Sequence, residues 1–487
     1  MRARGQWLSG IVLFLLATVA VAQEEDPFDL DDFVVEEETP PASTDESVDD
    51  ELEMDDLDEF DDDLDDLLGD DADTSAGADS PLTGFQGFLE FEPRVYFRDR
   101  GESSNDEQYI VRGELELDFR FGDRLTGYAR PRFLVDLNDG ELDRFEPFEG
   151  YVTFEGSGWD VRAGQFVENW GIVDTYNPID VVNRRDFASD LLDAERLGEL
   201  GMRGRWLGEG GSTIGEPTLS AYWIPVWRET LFAPDDQRFA FGDDTIAFDE
   251  DQGFEPDDSE RDFFALRFQH TLTTGPVNAD VQYLAARGPE RLPTLVMRSP
   301  NLLVPAYFGT NTFGVGFRAV PNENVAGAFL AGFTFKAESV YKAPYDFSRS
   351  PIDAPDDFVA TVVGFDRDFY DVFRDQDQLT LTVEYAREDG ADDPSALLRP
   401  FLNDVILRVL WEMNDFARTS LEVRSFYDFE NEEVVFESIF ERQLRAIHED
   451  LKFSLQLQIF DPPKTGESLF DFFPNNSSVA FRFRLDF

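Results

Sequence analysis

Ser478-Val479-Ala480-Phe481-Arg482-Phe483-Arg484-Leu485-Asp486-Phe487 closes the chain, and its alternation is strict. Val479, Phe481, Phe483, Leu485 and Phe487 share one parity; Ser478, Ala480, Arg482, Arg484 and Asp486 share the other. Successive side chains of a strand point to opposite faces, so one face is apolar and the other mostly charged or small. An edge strand of a soluble sandwich would alternate in the same way. A barrel wall between lipid and water also needs this pattern, greasy outside and charged inside. The rest of the chain separates the two.

Arg2 and Arg4 precede an apolar run from Ile11 to Ala17, and Ala20-Val21-Ala22 offers a small-x-small cleavage site before Gln23. Residues 1–22 therefore read as a secretory signal peptide, too short and wrongly flanked for a stable span. No later stretch approaches the roughly 18 uninterrupted apolar residues of a spanning helix. Any membrane crossing must then use strands, the other backbone solution in hydrocarbon. The chain has no Cys, so neither disulfides nor thiol chemistry enter.

From Pro81 onward the sequence reads as strands separated by loops. Tyr109 to Phe121 alternates almost perfectly, with its charges on one face. Similar segments run at 88–97, 125–137, 151–154, 160–166, 201–207, 219–226, 263–269, 277–286, 312–320, 326–337 and 358–365. They continue at 379–386, 405–411, 419–426, 434–440, 451–460 and the C-terminal strand. The expected fold is all-β: a transmembrane antiparallel β-barrel over residues 81–487 with about 14–18 strands, an even count of 16 being favoured. Such a barrel is wide enough for a water channel. Phe121 to Arg124 and Met413 to Asp415 read as short turns. Phe232 to Arg261, Gly288 to Gly309 and Lys342 to Asp357 read as long extracellular loops.

Composition fits a barrel. The 49 Phe, 7 Trp and 13 Tyr suit a lipid face and its aromatic girdles. A formal net charge of −62 excludes nucleic acid as a partner and favours cations or basic proteins. Much of that charge lies between Glu24 and Asp79, where 28 Asp and Glu stand without one Lys or Arg. Residues 23–80 are thus expected to be an acidic, largely disordered periplasmic segment. Leu57, Phe60, Leu64 and Leu67 mark a marginal helix over 51–68, weakened by like-charge repulsion. The segment reads as a solvated linker, a motif that folds on a basic or apolar periplasmic partner, or a plug. Its Asp-rich run lacks the Gly of an EF-hand loop.

After the strand ending near Phe166 the alternation stops. Trp170-Gly171 and Asn177-Pro178 carry turn or bend chemistry. Together with Gly164-Gln165, these residues resemble a family of porin-like outer-membrane proteins catalogued as a domain of unknown function. Its members carry G-[RQ]-x4-W-G followed by Asn-Pro-x-Asp, here Asn177 to Asp180. A second Asn-Pro-x-Asp is replaced by Asn183-Arg184-Arg185-Asp186. The last strand also resembles the C-terminal insertion signal of Gram-negative barrels, with Phe481, Phe483, Leu485 and Phe487 as its apolar positions. The resemblance implies a porin-type barrel from Pro81 to Phe487. It implies outer-membrane lipid, lipopolysaccharide and the barrel-insertion machinery as partners.

A lipid-facing Arg near the bilayer midplane costs about 2–4 kcal/mol, so repeated strand arginines should point inward. With Leu115, Leu117 and Phe119 outside, Arg112 and Arg120 face the lumen, as do Arg130, Arg132, Arg162, Arg203 and Arg205. Placed opposite Asp174, Asp180 or Asp186, they would form a transverse field. A ladder of wall-stiffening ion pairs would use the same residues. Arg184 and Arg185 join them as constriction candidates; Trp170, Gly171, Asn177 and Pro178 are expected to shape an inward loop over about 167–186. Catalysis is not expected. His270 and His448 are the only histidines, and neither has a nucleophile motif beside it. No zinc cluster or phosphate-binding loop is present, and no cofactor is implied. The leading function is passive passage of small solutes through the outer membrane. The alternative is an anchor whose acidic segment recruits a periplasmic component of an envelope transport system.

Overall fold

The computed structural model describes residues 81–487 except 98–105, 139, 141, 193, 212–213, 235–236, 242–246, 275–276, 322–329, 331, 348–351, 391–402, 462–472 and 474. The expected signal peptide, acidic segment and marginal helix lie outside the described residues. Eighteen antiparallel strands form one sheet. Numbered along the chain, they are β1 (Leu82–Tyr96), β2 (Glu107–Phe121), β3 (Leu125–Asp136), β4 (Arg144–Gly156), β5 (Trp159–Phe166) and β6 (Glu199–Leu207). Next come β7 (Thr218–Ile224), β8 (Phe263–Thr274), β9 (Val277–Pro289), β10 (Gly309–Pro321), β11 (Phe333–Tyr345) and β12 (Phe358–Tyr370). The set ends with β13 (Gln378–Asp389), β14 (Asn403–Glu412), β15 (Ser420–Asp428), β16 (Val434–Gln443), β17 (Leu451–Asp461) and β18 (Ser478–Asp486).

Each strand pairs with its sequence neighbours, and β18 returns to β1 with Glu90 opposite Arg484 and Phe91 opposite Phe483. The sheet is a closed barrel. Its count lies at the top of the expected range rather than at 16. Every alternating segment named above became a wall strand, so the segments themselves were the better guide. One was misplaced: the strand expected at 326–337 runs from Phe333 to Tyr345. It continues through Lys342 and Pro344, into the loop expected from Lys342 to Asp357; Pro is tolerated near a strand end.

The faces divide as a membrane barrel requires. Phe145 is 73% exposed, and Phe85, Trp206, Phe264 and Phe313 are also exposed on the outside. Glu92, Glu114, Asp160, Glu338, Glu384 and Glu437 are buried in the interior. A soluble fold would reverse this distribution. Ser339 and Thr361, on the outer parity of β11 and β12, bond to each other at 2.8 Å and so satisfy themselves in lipid.

The three longest connections, residues 167–198, 225–262 and 290–308, all follow odd-numbered strands and therefore lie at one end of the barrel. They carry structure of their own. Arg184–Asp186 pairs with Glu195–Leu197. Leu302–Ala306 pairs with both Thr294–Ser299 and Ala247–Phe248. Their Phe187, Phe232, Phe241 and Phe248 pack in one apolar core with Ile110, Ile406, Phe426 and Val435 of the wall. Those wall residues share the inward parity of Arg112, Arg408, Arg424 and Glu437. The inner wall thus turns from charged to apolar toward the loop end because it holds a folded layer there.

Candidate constriction site

The connection 167–198 leaves β5 and turns into the lumen. Its stem is clipped to three strands. The Val167 N–H donates to Glu149 of β4 at 2.8 Å. Glu168 accepts from Arg203 of β6 at 2.9 Å and from the Tyr222 hydroxyl of β7 at 3.1 Å. Asn183, on the returning limb, accepts from the Glu168 N–H and donates to the Leu197 carbonyl, both at 2.9 Å. The apolar anchor is Trp170, fully buried with its ring 5.1 Å from Tyr222, edge to face. Gln282 of β9 donates to the Trp170 carbonyl at 2.7 Å and accepts from Arg267 at 2.8 Å.

The motif residues build a compact tip. A Cβ on Gly171 would lie 1.7 Å from the Asn177 side-chain amide, so only Gly fits. With its amide oriented to suit its neighbours, Asn177 donates to the Val173 carbonyl at 2.9 Å and to Glu338 at 3.3 Å. The Asp180 N–H closes the turn on the Asn177 carbonyl at 3.0 Å. Ile179 and Ile172 rest against Gly314 and Gly316 of β10, where a Cβ would approach them to 3.2 and 2.7 Å.

The tip ends on two carboxylates of more distant strands. Glu338 of β11 accepts the N–H groups of Ile172, of Val173 at 3.1 Å and of Ile179 at 3.5 Å. Glu384 of β13 accepts those of Asp174 at 2.7 Å and Thr175 at 3.2 Å. Tyr176 donates its hydroxyl to Glu388 at 2.9 Å, and Lys336 reaches Asp174 at 2.7 Å. The loop therefore extends from its stem at β5 to β13.

The expected field across the lumen takes a different form. Asp174 is held by Lys336, not by an arginine. Asp180 is buried beneath Arg185 at 2.8 Å and Arg196. Asp186 is buried against Arg144 of β4, with Ser189 donating to it at 3.0 Å. Asp180, Arg185 and Asp186 thus hold the loop layer together instead of lining a pore. The cause is the antiparallel pair within the loop, which folds these charges onto each other. Arg184 bonds the Glu229 carbonyl at 2.9 Å and lies 3.7 Å from Glu199.

The remaining candidates do face the interior. Arg112 lies 3.5 Å from Glu90, Arg130 3.0 Å from Glu149 and Arg132 2.7 Å from Glu114. Arg203 and Arg205 share Asp160, at 3.1 and 2.6 Å. Arg162 donates to the Thr153 hydroxyl at 3.3 Å and lies 3.9 Å from the Tyr151 ring centre. Arg120, Arg162, Arg203 and Arg205 line a cavity of about 400 Å³ toward the short-turn end. The wall-stiffening ladder and the lumen lining are therefore the same residues. At the seam Arg482 meets Glu92 at 2.6 Å, whereas Arg484 turns to Asp486 at 2.7 Å. Phe481, Phe483 and Phe487 are exposed on the outer face, and Leu485 is partly exposed. His448 lies in a turn, and His270 packs between Phe268 and Tyr283.

Sequence reasoning missed Glu338, Glu384 and Glu199. The first two stand at inward parity in Phe333 to Tyr345 and Gln378 to Asp389, but so do many other acids. Glu199, fully buried at the start of β6, gathers Arg184 at 3.7 Å and Arg228 and Arg291 at 3.9 Å. Those arginines come from the three longest connections, which no local pattern could have joined.

No protein-family model and no curated protein matches the chain. Solved structures similar to it include three engineered variants of the Rhodopseudomonas blastica porin, each covering 83% of this chain and 99% of that chain. Sequence identities are 14%, 14% and 13%, and each TM-score is 0.36.

Proposed function

We propose that this chain is a porin-like channel of the bacterial outer membrane, passing small polar solutes passively. The loop at about 167–186 narrows the passage, and the Arg- and acid-lined wall sets selectivity. The observation that carries this reading is the extension of Ile172 to Thr175 from the β5 stem to Glu338 and Glu384. A barrel serving only as an anchor has no need of a structured arm within its lumen. The charged inner wall beside it can hydrate a polar solute while the outer face stays in hydrocarbon.

On this reading the signal peptide exports the chain, and the C-terminal apolar positions engage the insertion machinery. Lipid and lipopolysaccharide surround the barrel. Reconstitution of the mature chain in planar bilayers tests the proposal. Discrete unitary steps with a fixed ion preference are expected, and liposome swelling should fall with solute size. Absence of current at every voltage and salt concentration would remove the channel and leave the anchor.

A further inference from the structure

We infer that Glu338 and Glu384 form a latch holding the loop tip, Gly171 to Ile179, in a closed-down position from which it can be released. The inference rests on the channel reading and adds the residues that position its narrowest element. Both carboxylates are almost fully buried, at 1% exposure each. Among the described residues neither has a Lys or Arg within ion-pair distance. Their negative charge is met instead by five backbone N–H groups of the loop, three on Glu338 and two on Glu384.

Successive N–H groups converging on an oxygen form an anion-binding concavity; here the loop supplies the concavity and the wall the anion. This contact differs in kind from the stem. The stem is fixed by the buried ring of Trp170, the Arg203–Glu168 ion pair and Asn183. At the tip, Ile172 and Ile179 rest against the glycines of β10, Ile179 also packs in the cluster of Trp170, and Val173 and Tyr176 join the apolar core of the loop layer. The remaining attachments are polar: Asn177 with Glu338, Lys336 with Asp174, and Tyr176 with Glu388. Weakening the carboxylates therefore removes five of the tip's polar holds at once and leaves the stem, so the tip is the part that loosens. The five N–H groups can then turn to lumen water, so release need not leave buried donors unpaired.

The test uses full-length protein in planar bilayers. Glu338→Gln with Glu384→Gln keeps shape but puts amide donors where the loop presents donors. It should raise unitary conductance and add open-state fluctuations that the parent lacks. The chain has no Cys, so Ile179→Cys with Gly314→Cys creates a single lockable pair between tip and wall. Oxidised in the double-Gln background, the pair should return conductance and noise to parental values, and reduction should release them. In the parental background the oxidised and the reduced pair should give the same conductance and noise. Parental traces from the double-Gln variant, or a lock that fails to quiet it, overturn the latch. No current from the parent itself instead removes the channel reading. If the double-Gln variant does not insert, Glu384→Gln alone weakens the latch at Asp174 and Thr175. The same direction of change is then expected, and unchanged traces overturn the latch.

Discussion

Glu199 gathers guanidinium groups from three connections that are far apart in sequence. Arg291 is the most dependent of them, almost fully buried and with its side-chain donors unbonded among the described residues. Removing one partner of a buried ion pair leaves an uncompensated charge at about 3–5 kcal/mol. Glu199→Ala should therefore loosen the loop layer before the wall. Amide exchange should accelerate within residues 225–262 and 290–308 while β1 and β2 stay protected. A second residue sets a pH dependence. Glu229 lies in the connection after β7, and burial together with the carboxylates of Glu255, Glu250 and Asp251 pushes its pKa up to about 8. Around it also stand Arg184, bonded to its carbonyl, and Tyr307, whose hydroxyl accepts from the Thr230 N–H. A raised carboxyl pKa means that the folded loop holds its proton more tightly than the unfolded loop. Below the ordinary value of 4.5 both states are protonated and nothing is lost. As pH rises toward about 8 the loop layer loses stability, and above it the loss is complete. Limited proteolysis of this connection should be faster at high pH than at mildly acidic pH, and Glu229→Gln should flatten the profile.

Among the elements, β10 accommodates the loop by omission. Gly314 and Gly316 leave the depression in which Ile179 and Ile172 lie. A branched side chain there meets the loop or Leu284 and Gln282, and overpacking of this kind costs about 1–3 kcal/mol. Gly316→Val should displace the tip without breaking β10, whose pairing with β9 and β11 is unaffected by an inward side chain. Unitary conductance should change while the folded-band mobility in electrophoresis does not. The wall strands were legible because a membrane barrel uses period-two alternation without tertiary exceptions: Tyr109 to Phe121 reads the same in sequence and structure. Where alternation coexists with an apolar inner face, as at Ile406 and Phe426, the sequence cannot distinguish lipid from loop core. Within the motif Trp170-Gly171 and Asn177-Pro178, Gly171 is required by the Asn177 amide. The loop's acids were assigned wrongly because Arg144, Arg185 and Arg196 reach them only through pairing formed in three dimensions.

The whole molecule depends on the seam between its last strand and its first. An unclosed sheet would present unpaired backbone groups to hydrocarbon, each costing several kcal/mol. The β18–β1 ladder runs from Phe88 opposite Asp486 to Tyr96 opposite Ser478, but it skips Glu92 and Pro93. Pro93 has no N–H to give, and a proline within a paired strand marks a weak point. The side chains cover that gap. Glu92, fully buried, takes Arg482 across the seam at 2.6 Å and Arg94 along its own strand at 2.8 Å. Arg482 also donates to Gln456 of β17 at 2.6 Å, so the bridge spans three strands. The charged face of the C-terminal strand thus contributes to closure. Two substitutions should move the seam in opposite directions. Arg482→Ala leaves Glu92 with one fewer partner and Gln456 without this donor. Pro93→Thr restores a backbone donor beside the gap, and a typical net hydrogen bond contributes about 0.5–1.5 kcal/mol. In denaturant titrations of folding into lipid vesicles, Arg482→Ala should lower the midpoint and Pro93→Thr should raise it. Equal midpoints for all three chains would mean that the ladder alone closes the barrel.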